Sequence, residues 1–155
     1  MSDMAERLRL KALDQDDLQV IAACLQDALI PLREMVFMAE DQRFMAAFSR
    51  FQRERCTDQD EALTLCQSAL RVDHVDAVKY RGLDRDLDGV KFELLTIFAE
   101  PISGDGFHIV LLFAGDVAIR LQVSKLALSI DDFGDPWPAI VAPRHDLAPP
   151  SAEDG

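Results

Sequence analysis

Three apolar segments follow one another in this chain, joined by connections short enough to force reversal. Val90 to Ala99 leads through Pro101-Ile102-Ser103-Gly104-Asp105-Gly106 into Phe107 to Phe113, and Ala114-Gly115-Asp116 leads on into Val117 to Val123. Parallel neighbours need a crossover of about a dozen residues or more, whereas antiparallel neighbours need only a tight turn, so the three segments read as a meander. Phe107 to Phe113 is apolar at nearly every position, the pattern of a central strand covered on both faces.

Upstream, Ala62 to Leu70 and Val72 to Tyr80 alternate apolar and polar residues and also read as strands, the second closing on Gly82 and an Asp-rich turn from Asp84 to Gly89. Arg7 to Leu13 alternates in the same way, with Leu8 and Leu10 against Arg7, Arg9 and Lys11. The period then changes. Asp14 stands at an N-cap position, Asp16 and Asp17 suit the positive end of a helix dipole, and Leu13 with Leu18 occupies the staple positions. A helix from about Gln15 to Ala28 is expected, burying Leu18, Ile21, Ala22, Leu25 and Leu29; Val20, Cys24 and Ala28 form a second, weaker line.

Pro31 stops that helix, and Glu34 to Met38 reads as a strand entering the turn Glu40-Asp41-Gln42. Periodicity leaves Arg43 to Arg53 open, because Phe44, Phe48 and Phe51 satisfy helical spacing as well as a hairpin arm. Near the end, Val123, Leu126, Ala127 and Ile130 resume helical spacing and Phe133-Gly134-Asp135-Pro136 resembles a helix stop, which predicts a short C-terminal helix.

The expected fold is a single α+β domain: a largely antiparallel sheet of six or seven strands, one helix after the first strand and a short helix at the C-terminal end. A pleckstrin-homology-like partial barrel closed by the last helix is the alternative. Residues 1–6 are expected as a flexible start, 7–142 as the domain, and 143–155, rich in Pro, as a mostly disordered tail.

The run Leu25-Gln26-Asp27-Ala28, the block from Arg43-Phe44 to Arg50-Phe51, and the ending Asp131-Asp132-Phe133-Gly134-Asp135-Pro136-Trp137 resemble a family of small bacterial proteins defined as a domain of unknown function. The likeness runs from about Leu8 to His145. It implies a stand-alone, single-domain cytoplasmic protein with no activity or functional residues to carry over, and it favours a strand over Arg43 to Arg53.

Charge narrows the function classes. Lys and Arg number 16 against 28 Asp and Glu, a net −12, and such a surface repels phosphate backbones and anionic lipid headgroups. The longest apolar stretch is too short to span a bilayer, the N-terminus has no continuous apolar core of a signal, and three cysteines without a CxxC pair fit a reducing cytoplasm. Nucleic acid and membrane are therefore not the expected partners. The one basic spot is Arg50, Arg53 and Arg55 near Phe48 and Phe51, read as a solvated strand face whose arginines pair with surplus carboxylates.

Nothing in the spacing supplies a catalytic signature or calls for a cofactor. There is no GxSxG, Walker A or GxGxxG motif, and His74, His108 and His145 have no metal-ligand spacing. On its apolar strand, His108 reads as a core residue. Asp84, Asp86 and Asp88 before Gly89 resemble the start of a calcium loop, but Leu95 stands where the bidentate Glu belongs, so an acidic hairpin turn accounts for them equally. The reading that follows is a non-catalytic cytoplasmic binding or interaction domain whose partner is another protein or a second copy. Its rival is a small-ligand protein or enzyme with a pocket assembled from Asp27, Arg50, Trp137 and His145.

Overall fold

The computed structural model describes residues 7–52, 64–83 and 90–138. The described chain runs β1 (Arg9–Ala12), α1 (Gln15–Leu25), β2 (Leu29–Pro31), β3 (Met35–Met38), β4 (Arg43–Phe51), β5 (Thr64–Val72), β6 (Val75–Arg81), β7 (Lys91–Pro101), β8 (Phe107–Phe113), β9 (Val117–Val123) and β10 (Leu128–Pro138). All ten strands belong to one antiparallel sheet of order β1-β10-β5-β4-β2-β7-β8-β9-β6, with β3 paired to β4 off that path. The sheet is open: β1 and β6 end the order and are not paired with each other.

Short β2 is the seam. It meets β4 through Leu29 opposite Ser49 alone, and β7 through Leu29, Ile30 and Pro31 opposite Glu93, Phe92 and Lys91. On one side stand β1, β10, β5, β4 and β3; on the other, β7, β8, β9 and β6. A second crossing is made where the β5–β6 and β9–β10 connections run together, through Asp73 N–H to the Ala127 carbonyl (3.0 Å), Ser124 N–H to His74 (3.1 Å) and Val75 N–H to Gln42 (2.9 Å). The two halves share one core, in which Phe44, Phe48, Leu70 and Ile130 meet Leu94, Ile109, Leu111 and Ile119, and α1 lays Leu18, Ile21 and Leu25 into it. Its main neighbour is β7.

The helix start is as the sequence implies: Asp14 is extended at the N-cap and its carboxylate accepts the Asp17 N–H at 2.8 Å. The staple does not form, because Leu13 is 68% exposed. The helix also stops three residues short of Ala28. Asp27 turns into the left-handed region (φ 69°) and gives its N–H to the Leu94 carbonyl at 2.8 Å, which starts β2 and takes Leu29 into the sheet instead of the helical stripe. Arg43 to Phe51 is a strand, with Phe44, Ala46, Phe48 and Arg50 alternately buried.

Three expectations are corrected. Among the described residues the strands number ten and not six or seven: Leu29–Pro31 forms β2 where the helical stripe is expected to continue, and Leu128–Pro138 forms β10 where helical spacing predicts a helix. Among the described residues there is no C-terminal helix, so the one expected to close a barrel is not formed there. Val123 ends β9 and Leu126 lies in the connection, while Leu128 and Ile130 are buried at period 2 within β10 opposite Val72 and Leu70. The supposed helix stop is a bulge: register shifts between Phe133 and Trp137, Gly134 takes φ 72°, and Pro136 sits where no ladder bond is needed. Phe107 to Phe113, finally, is central but buried on one face alone; Ile109, Leu111 and Phe113 face the core, whereas His108, Val110 and Leu112 are half-buried on the other side. The expected segments 1–6 and 143–155, and the Asp84 to Gly89 turn, lie outside the described residues.

The inner face of the β10-β5-β4 half grades from apolar to ionic. Rows Phe44–Val72–Leu128 and Ala46–Leu70–Ile130 are followed by Phe48–Ser68–Asp132 and then Arg50–Cys66. The Arg50 guanidinium reaches across β5 to Asp132, with Nε at 3.0 Å from Oδ1 and Nη2 at 2.8 Å from Oδ2, a bidentate pair in which the side chains are 0% and 3% exposed. Adjacent strands are about 4.8 Å apart, so the arginine must lie over β5, and the small residues Cys66 and Ser68 leave it room. Asp132 also accepts the Leu8 N–H at 2.9 Å and returns its own N–H to the Leu8 carbonyl, which fastens the approach to β1. Burial would raise the Asp132 pKa; the hydrogen bonds from Arg50 and Leu8 and the guanidinium charge outweigh it and leave the carboxyl below its ordinary value. The buried Ser68 hydroxyl, opposite Asp132, adds a small pull in the same direction although it lacks a hydrogen bond of good geometry.

Because the folded state holds Asp132 below its unfolded pKa, the stabilisation is present above about pH 4 and is lost as pH falls through the folded value. Asp73, lowered against its burial by Arg43 and Arg71, has the same sign. Urea unfolding should show Asp132→Ala destabilising by about 3–5 kcal/mol at pH 7, the cost of leaving Arg50 buried without that carboxylate, and the mutant's acid limb should be shallower than that of the parent.

Candidate functional site

Of the chemistry-bearing residues singled out in the sequence, the structure places Arg50, Trp137, Asp27 and His108. Arg50 points inward and is wholly buried against Asp132, so it is no part of a solvated face; Arg53 and Arg55 lie outside the described residues. Trp137 stands opposite Leu65, and Leu65 opposite Phe51, one position along from Cys66 and Arg50. Because side chains alternate along a strand, Trp137 and Arg50 occupy opposite faces. Asp27 serves the turn out of α1. His145 and the acidic trio Asp84, Asp86 and Asp88 are outside the described residues. Among the described residues no group of three His, Cys, Asp or Glu side chains could hold a metal ion, and no helix is long and apolar enough to cross a membrane.

A different surface draws attention. Across β6-β9-β8-β7 the antiparallel registers align the outward side chains in rows. Lys79, Arg120, Val110 and Phe98 make one row; Arg81, Ala118, Leu112 and Thr96 make the next; Ala77, Gln122, His108 and Glu100 flank them on the other side. His108 therefore lies on this outer face between Glu100 and Gln122 and is half-buried, not a core residue. Lys79, Arg81, Phe98, Glu100, Val110, Leu112, Ala118 and Arg120 line an open depression of about 390 Å³. Cations stand at the β6 and β9 side, and apolar side chains together with the Glu100 carboxylate at the β8 and β7 side.

The electrostatics of this face are unfavourable in isolation. Lys79 and Arg120 are directly opposite on paired strands, both exposed, and neither forms an ion pair among the described residues. Like charges in that position repel across about 5 Å. Arg81, on the same face two residues along β6, makes a loose contact with exposed Asp116 at 3.4 Å. It is positioned by Gly82, whose φ of 81° turns the chain so closely past the β8–β9 turn that a Cβ there would stand 2.7 Å from the Asp116 carbonyl oxygen.

The outer face of the other half differs. Its larger depression, about 730 Å³, is lined by Arg9, Lys11, Arg71, Asp73 and Asp131 among others. There the arginines already have carboxylates: Arg9 with Asp131 at 2.8 Å, Arg71 with Asp73 at 3.1 Å, and Arg43 with the same Asp73 at 3.0 Å.

The family described as protein of unknown function (DUF2948) matches residues 8–145. The chain belongs to this family. The match covers the whole described sheet, so the DUF2948 domain comprises both outer faces as well as the buried ion pair. No curated protein and no solved structure matches the chain.

Sequence reasoning missed the β6–β9 cations because they are far apart in the chain and neither lies in a basic run. The available signal was the apolar run Phe107 to Phe113, which carries more hydrophobic positions than one buried face uses. Replacing Arg120→Glu turns the repulsive cross-strand pair into an attractive one. Urea titration of the free protein should show a stabilisation of about 0.2–1 kcal/mol, and a loss of stability would contradict the repulsion described.

Proposed function

We propose that this DUF2948 protein is a non-catalytic binding domain of the cytoplasm that holds a protein partner on the outer face of β6-β9-β8-β7. The observation that carries the reading is the row structure of that face. Phe98, Val110 and Leu112 present half-buried, contiguous apolar side chains, bordered by Lys79, Arg81 and Arg120 on one side and by Glu100 on the other. An apolar centre with a polar or charged rim is the anatomy of a protein-binding patch. The net −12 of the chain and its cysteine usage support a soluble, reducing environment.

Affinity capture from the native cell followed by mass spectrometry tests the proposal when the parent is compared with Val110→Asp and with Arg9→Glu on the opposite half. The expected result is at least one protein retained by the parent and by Arg9→Glu but lost from Val110→Asp. Identical captured sets for all three would overturn it.

A further inference from the structure

We infer that the partner segment seated on this face is an acidic peptide whose carboxylates lie over Lys79, Arg81 and Arg120 and whose following apolar side chains lie over Val110, Leu112 and Phe98. The inference rests on the proposed binding face and adds the chemistry of its occupant. The row Lys79–Arg120–Val110–Phe98 crosses four strands, about 14 Å at the usual strand spacing, which four or five residues of extended chain span. Reading along it gives two cations and then two apolar side chains, with Arg81 and Leu112 repeating the order in the next row. A segment that is acidic first and apolar a few residues later matches both halves of the surface at once.

Charge decides against other occupants. The chain carries a surplus of carboxylates, yet Lys79 and Arg120 face each other with no carboxylate paired to either among the described residues. An anion between them removes the repulsion and is therefore bound more strongly than one at an already paired arginine such as Arg9. A second copy of this chain carries the same net −12, so docking it on this face works against the overall charge of both copies. A membrane or a nucleic acid is an extended polyanion that must approach the whole −12 surface, whereas a short peptide senses mainly the charges within a Debye length of about 8–10 Å.

The test is fluorescence anisotropy with the full chain and labelled peptides of about ten residues, three glutamates at one end and leucine and phenylalanine at the other. Companion probes are the same peptide with glutamines for glutamates, decanoate as a small apolar carboxylate, and vesicles of phosphatidylcholine with phosphatidylserine. The expected result is binding of the acidic peptide that weakens at least about fivefold with Lys79→Glu, Arg120→Glu or Val110→Asp, is unchanged with Arg9→Glu, and declines steeply with added salt. Equal binding of the glutamine peptide, indifference to Lys79→Glu and Arg120→Glu, or binding of decanoate or vesicles without the acidic peptide would overturn the inference. If the acidic peptide fails while Val110→Asp still loses a captured protein, the chemistry assigned to the occupant is wrong and the binding face stands; if both fail, the face itself is wrong.

Discussion

The ion pair between Arg50 and Asp132 is the constraint around which one half of this fold is organised. Its partners are on β4 and β10, with β5 between them, so the pair forms only when the order β10-β5-β4 and both registers are correct. A slip of one residue in β10 would turn Asp132 to the opposite face and leave a buried guanidinium without its carboxylate, a loss of several kcal/mol. The same carboxylate receives the Leu8 N–H, so the edge strand β1 depends on it as well. An apolar row at that position would pack as densely but would specify the register less sharply, since Phe48, Leu70 and Ile130 already provide hydrophobic cover and tolerate one another in several arrangements.

Much of the architecture is legible from alternation. The meander β7-β8-β9, the Asp14 cap and the position of α1 follow from local chemistry, because each is fixed by residues close together in sequence. Arg43 to Phe51 was undecided by period and became a strand because its alternate residues, Arg50 among them, are all claimed by the core. The ending defeats local reasoning for a related cause. Leu126, Ala127 and Ile130 have helical spacing only if the turn after β9 is ignored, and Arg50 reads as part of a solvated face only if its carboxylate on β10 is not known. In both segments the deciding partner is some 80 residues away, outside any window in which propensity operates.

The halves of the sheet handle charge in opposite ways. On the β1-β10-β5-β4 side, Arg9, Arg43 and Arg71 each have a carboxylate from the next strand or turn and Arg50 has one from across β5, so part of the acidic surplus neutralises them. On the β7-β8-β9-β6 side, Lys79 and Arg120 have none among the described residues, although the chain could supply one cheaply by a single substitution. Average charge describes the first half and conceals the second. A search for basic runs fixes on Arg43 to Arg55 because those arginines are adjacent in sequence, and the fold then withdraws Arg50 into the core.

Edge protection offers a simpler account of part of this face. Strand β6 ends the sheet, and charged residues on an edge discourage pairing with another chain, which is sufficient reason for Lys79 and Arg81. It is not sufficient for Arg120. That residue is on β9, with β6 on one side and β8 on the other, where no free edge exists to protect. Its charge weakens the pairing it takes part in and stands beside Val110, which an edge-guarding residue would have no reason to adjoin. Under the proposed reading, a cation that costs local stability at the border of an apolar surface is there for what it attracts from outside the chain.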